Sequence, residues 1–226
     1  MLLNGKDLES IIQELLIYFP IFLISITLHE FCHALAADRL GDRTARLAGR
    51  LTVNPLAHLD LLGTLMLLVA PFGWAKPVPI DPRNLKGRFS MLLVSGAGPL
   101  ANLLLAVVGI LILKHSPAFQ ALPADKLGML VLMNMQLLEA IPLAVPLLVL
   151  VLINTVLMIF NLLPIPPLDG FGILSDLLPE KWRHAYYQLL PYGVILLVLF
   201  MVVPFARHAF NAAIVTTIQA LVAIVP

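Results

Sequence analysis

The stretch SITLHEFCHALAADRLGD, residues 25–42, puts two histidines, a glutamate and a cysteine at the end of an otherwise apolar helix. Imidazoles and a carboxylate in such a place raise the question of which solvent surrounds them. Upstream, residues 15–28 carry no charge, and the same apolar helical pattern continues to about Ala37. A run of that length matches the ~20 apolar residues a helix needs to cross a bilayer. The polar cluster therefore sits where a membrane helix ends.

Composition agrees. The 226-residue chain is 60% hydrophobic and 12% charged, with a mean hydropathy of +0.97. A soluble domain carries ~25% charged residues, and half of that cannot cover a soluble surface of this size. Lipid must contact much of the chain. Further uncharged stretches span residues 89–113, 185–206 and 209–226, and no charge falls between Glu139 and Asp169. We expect an all-α polytopic membrane protein with about five to six transmembrane helices, the last two forming a short hairpin. Residues 1–226 read as one integral membrane domain, with a core over about 10–175 and C-terminal helices over about 185–226. The first helix lacks a small-residue cleavage site, so it reads as retained rather than as a signal peptide.

One apolar stretch is too short to span. LLGTLMLLVAPFGW, residues 61–74, runs into AKPVPIDP, where prolines forbid a regular helix. Irregular backbone at membrane depth is tolerated only where it is buried in protein or lines a wet cavity. This stretch reads as re-entrant, with β-like edges over residues 47–56 and 72–81 that can pair with an unwound substrate as an added strand, and with Trp74 as an interfacial anchor. Positive charge then sets the orientation. Arg39, Arg43, Arg46, Arg50, Lys76, Arg83, Lys86, Arg88, Lys181 and Arg183 fall on one side, against Lys6, Lys114, Lys126 and Arg207 on the other. The positive-inside rule makes the first face, where the polar cluster lies, the cytosolic one. A net charge of +1 gives no basic stripe for nucleic acid, and a single cysteine, Cys32, excludes an internal disulfide.

His29 and His33 lie four residues apart, on one helix face with Cβ atoms ~5–6 Å from each other. Two such imidazoles can bind one zinc ion. Glu30, turned ~100° around the axis, can take a proton from a water at the metal without being a ligand. This is the HExxH pattern of zinc metalloproteases. With six histidines in the chain, shuffling yields roughly 0.004 occurrences of it. A catalytic zinc usually takes a third protein ligand and keeps one position open. Ala36 and Arg39 stand where an extended HExxHxxGxxH motif needs Gly and His. His58 is a possible ligand, though a turn or cap role suits VNPLAHLD better. Asp169 is the stronger candidate. Pro164, Pro166 and Pro167 break the third span before it, on the same membrane face, so a stiff turn ending in Gly170 can aim its carboxylate at a fixed metal.

HEFCH within a membrane helix, SGAGPLAN at 95–102 and NLLPIPPLDG at 161–170 together resemble the site-2 protease family of intramembrane zinc metalloproteases. GRLTVNPLAHLDLLGT and KPVPIDPRN are similar to its compact prokaryotic members; no PDZ or CBS module is visible. The resemblance covers about residues 20–175. It implies one zinc ion on His29, His33 and Asp169, Glu30 as catalytic base, and a three-helix catalytic core near the cytosolic face of the cell membrane. By the same resemblance, Asn161 holds the substrate backbone or the oxyanion. Asn102 is a second candidate for that role, with packing and hydrogen bonding favoured for it. The implied substrates are transmembrane helices of other proteins, met within the lipid bilayer.

Rival readings use the same residues. A divalent-metal transporter would space acidic or histidine residues through several spans, whereas residues 89–113 hold none. An inactive relative that only retains partners would not need Glu30. Cys32 reads as a packing thiol, and Met129, Met133 and Met135 as packing residues. Substrate identity and oligomeric state are not encoded in any motif.

Overall fold

The computed structural model describes residues 8–63, 66, 75–116 and 144–226. Helix α1, Leu8–Arg39, runs 32 residues without interruption at Pro20. At 1.5 Å per residue it is about 48 Å long, more than the ~30 Å of hydrocarbon it crosses. A single turn, α2 (Thr44–Leu47), follows it. Then come α3 (Ser90–Lys114), α4 (Ala144–Asn161), α5 (Asp169–Leu177), α6 (Glu180–Tyr187), α7 (Gly193–Val202) and α8 (Pro204–Ile224). The protein is all-α and polytopic. Among the described residues, Leu15–Arg39, Ser90–Lys114, Ala144–Asn161 and Glu180–Val202 are long and apolar enough to cross a membrane.

Helix α3 lies at the centre, against α1, α4 and α5, and α1 also meets α4. Gly109 lets α3 and α4 approach closely, since a Cβ there would lie 2.9 Å from Val151 Cγ2. Such small-residue contacts are how membrane helices pack when lipid removes the hydrophobic drive. The apolar core joins Ile110 and Leu113 of α3, Leu148, Val149 and Val151 of α4, and Ile214 and Ile218 of α8. Outward faces stay apolar too, with Leu16, Leu100, Leu104 and Ile112 exposed as a lipid-facing helix requires.

Three expectations change in detail. The expected boundary between the last two spans falls earlier, because Pro204 cannot continue α7 and instead opens α8. With Arg207, His208, Asn211 and Gln219 in it, α8 is not among the four apolar helices. Asp169 starts a helix rather than sitting in a glycine-ended turn. The β-like segment reduces, among the described residues, to one antiparallel bridge between Leu59 and Ala75, with Lys76 N–H donating to His58 O at 2.9 Å. Most of the expected re-entrant stretch, with Trp74, Met129, Met133 and Met135, lies outside the described residues.

Candidate metal centre

Helix α1 supplies two of the three converging groups. His29 and His33 are buried, one turn apart, with ring centroids 4.6 Å apart and edge-on at 85°. Their Nε2 atoms are 3.0 Å from each other. The opposite ring atoms are engaged: His33 Nδ1 donates to Val94 O at 2.7 Å, and His29 Nδ1 lies 2.6 Å from Asn102 Oδ1. Outer bonds of this kind orient metal-ligating imidazoles. Both partners belong to α3, which comes close because residue 98 is glycine. A Cβ there would lie 2.7 Å from His29 Nε2 and closer still to His33 Nε2.

The third group arrives from 136 positions further along the chain than His33. Asp169 opens α5, with Oδ2 at 3.2 Å from His29 Nε2 and Oδ1 at 3.1 Å from His33 Nε2. Four contacts hold α5 in place. Gly170 packs on the carbonyls that end α4, where a Cβ would lie 2.5 Å from Leu163 O. Gly172 lies against Ser95 of α3, and Asp176 accepts from Leu92 N–H at 2.8 Å. Phe171 stacks on Tyr186 with centroids 4.3 Å apart, while the Tyr186 hydroxyl donates to Pro164 O at 2.9 Å.

His29, His33 and Asp169 thus offer ligand atoms that all lie within 4.8 Å of one another. Two imidazole nitrogens and a carboxylate form a donor set suited to zinc. Asp169 Oδ2 is buried without a hydrogen-bonding partner, although it stands within ion-pair distance of His29. A buried carboxylate oxygen left this way is costly unless a cation meets it. The residues fit a metal ion.

Glu30 is half-buried, and its Oε2 accepts Val78 N–H at 3.0 Å. Residues 76–81 form an extended strap across α1 at this point. Val78 is the one backbone donor between Pro77 and Pro79, and its side chain packs with Ala34 and Ala45. Arg50 Nη2 holds the strap through Lys76 O at 2.6 Å, and Asp42 Oδ2 holds it through Asp81 N–H at 2.8 Å. Burial alone would raise the Asp42 pKa. Hydrogen bonds from the Thr44 side chain, from the Asp81 and Thr44 N–H groups and from Asn84 outweigh it and hold the carboxyl below the usual range.

The remaining candidates fall outside this cluster. Asn161 Nδ2 donates to Leu157 O at 2.9 Å, within its own helix. Asn102 is fully buried and turned to His29 instead of to an open cleft. His58 is buried in the loop, with Nε2 2.8 Å from Thr52 O, so the turn reading holds for it. Sequence reasoning missed Val78, Arg50, Asp42, Asn154 and Ser25. An amide alone in the apolar run VLINTVL was the signal available for Asn154.

The model of "Peptidase family M50" matches residues 17–204. The chain belongs to peptidase family M50. That match takes in both histidines, Glu30 and Asp169, and it bears out the resemblance to site-2 proteases. The M50 chain is 40% identical over 204 residues to the "Putative zinc metalloprotease YwhC" of Bacillus subtilis, covering 85% of this chain and 87% of that one. It is 32% identical over 195 residues to the "Putative zinc metalloprotease Rip2" of Mycolicibacterium smegmatis, covering 84% of this chain and 68% of the relative. The Mycobacterium tuberculosis protein of the same name is 31% identical over 187 residues, 80% of this chain and 64% of its own length. No solved structure matches this chain significantly.

Proposed function

We propose that this M50 chain is an intramembrane zinc metalloprotease that hydrolyses peptide bonds in or beside transmembrane helices of other membrane proteins. The convergence of His29, His33 and Asp169 from α1 and α5 carries the reading. These three residues would hold one zinc ion, the donor set a catalytic zinc takes from a protein. Residues 10–175 act as the catalytic core, and α8 buttresses α4 from behind.

A bound zinc supplies Lewis acidity, polarising the scissile carbonyl and lowering the pKa of water at the site toward ~7. Glu30 takes the proton of that water on the oxygen that Val78 leaves free, then passes it to the leaving amide nitrogen. With Oε2 anchored on the strap, the carboxylate turns less freely between those two positions. Asn161 meets the extended substrate backbone after its amide leaves Leu157 O. Asn102 has no such freedom, being buried and bonded to His29 and Asn154.

Residues 76–88 and 39–50 bear eight of the basic residues, which supports a site opening at the cytosolic face of the cell membrane. That location suits membrane-anchored regulators or remnants of signal peptides as substrates, since water reaches the peptide bond there. The experiment compares wild type with Glu30→Gln in detergent, measuring zinc per chain and cleavage of a panel of single-span helices. Equal zinc with cleavage by wild type alone is expected. Equal cleavage by both would remove Glu30 from the mechanism, and wild type that binds no zinc on reconstitution would overturn the site.

A further inference from the structure

Behind His29 lies a chain of buried amides joining α1, α3 and α4. Asn102 Nδ2 is 2.9 Å from Asn154 Oδ1, and Asn154 Nδ2 is 2.8 Å from Ser25 Oγ and 2.9 Å from Leu150 O. Ser25 Oγ in turn donates to Ile21 O at 2.7 Å. Ser25, Asn102 and Asn154 have no exposed surface.

The direction of every bond follows from the two carbonyls. A carbonyl has no proton, so the Asn154 NH2 must face Leu150 O. Ser25 spends its hydroxyl proton on Ile21 O, so its oxygen also accepts from that NH2. Asn154 Oδ1 is therefore the atom turned toward Asn102, and only the Asn102 NH2 can meet it. A 3.5 Å approach of Asn102 Nδ2 to Ser25 O agrees with this orientation. Asn102 Oδ1 is then left facing His29 Nδ1, and an amide oxygen can only accept.

We infer that Asn154 and Ser25 are positioning residues that hold the Asn102 carboxamide in the one orientation that protonates His29 at Nδ1 and bares Nε2 for the metal. Neither side chain bonds the His29 ring; both act on it through Asn102. Were Asn102 to turn over, its NH2 would face the ring, and Nδ1 would become the acceptor with a proton on Nε2. This rests on the zinc reading above and extends it to residues two and three hydrogen bonds removed from the ligand.

The test measures zinc affinity by chelator competition in detergent, with no substrate. Asn154→Leu should weaken zinc binding 10–100-fold, the usual loss for an outer hydrogen-bonding partner. Asn102→Asp supplies the discriminating background, because a carboxylate presents an oxygen to His29 whichever way it turns. In that background Asn154→Leu should cost little, a non-additivity that a purely structural role would not show. Wild-type affinity in Asn154→Leu, or a loss that persists undiminished beside Asn102→Asp, would overturn the inference. If Asn154→Leu does not fold, Ser25→Ala enters the same cycle, with a smaller loss that Asn102→Asp should likewise abolish. Wild type that binds no zinc would instead sink the metal reading itself.

Discussion

Gly98 is where the packing of α3 and the metal chemistry meet, so Gly98→Ala tests both. A Cβ at this position would lie 2.6 Å from His29 Cε1, whereas ordinary contact begins at 3.4 Å, a shortfall of about 0.8 Å. The obstacle is not a flexible chain end, because both imidazoles are held on their far sides by Asn102 and Val94. Either α3 retreats from α1 or the rings turn. Zinc–ligand distances tolerate only ~0.2 Å, so a displacement several times larger cannot leave the donor set intact. We expect zinc affinity to fall at least 100-fold, or by about 2.8 kcal/mol. Intrinsic propensity acts the other way, since alanine in a helix interior is ~1 kcal/mol more favourable than glycine. Relieving the clash costs the metal-free protein ~1–3 kcal/mol, which the propensity gain offsets in part, so metal-free Gly98→Ala should be destabilised by less than its loss in zinc binding. Gly96→Ala is the control, with nothing within 4 Å of its added methyl. Chelator competition on the three proteins, with thermal unfolding of each apo form, supplies both readouts. Affinity within threefold of wild type in Gly98→Ala would refute the close approach of α3 to the two Nε2 atoms.

Two further outcomes follow from the strap. Val78→Pro removes the N–H that Glu30 Oε2 accepts; a bond to a charged acceptor is worth ~1.5–3 kcal/mol, so kcat should drop about 10–100-fold at unchanged zinc content, with Val78→Ala near wild type. A parallel fall in zinc content would mean that the strap supports the histidines rather than Glu30. Asp42 has a folded pKa below its unfolded value of ~3.9, so its contribution is present above that value and is lost as pH falls through the folded one. Amide exchange in residues 76–81 should therefore stay slow from neutral pH down to about 4 and quicken only below it, whereas Asp42→Asn should quicken it at every pH. Loss of protection between pH 7 and 5 in wild type would point to a different latch.

Much of this protein is local in its chemistry, and that part is legible along the chain. A hydrophobic run longer than a bilayer is thick needs no partner to be recognised, so α1, α3 and α4 emerge from hydropathy alone. Two histidines at i and i+4 share a face by the geometry of one helix, and Glu30 falls beside them for the same reason. Prolines 164, 166 and 167 end α4 wherever the rest of the fold lies. Other features depend on what comes to lie opposite, and no local pattern contains that. An asparagine in an apolar helix reads the same whether it joins two helices or orients a histidine, and Asn154, turned by Leu150 O of its own helix, meets Ser25, 129 positions away, and Asn102 only in the folded protein. Val78 looks like one apolar residue between prolines until α1 brings Glu30 to its N–H. Gly98 reads as helix-packing glycine, and only the approach of α1 shows that its missing methyl is the space into which two imidazoles reach.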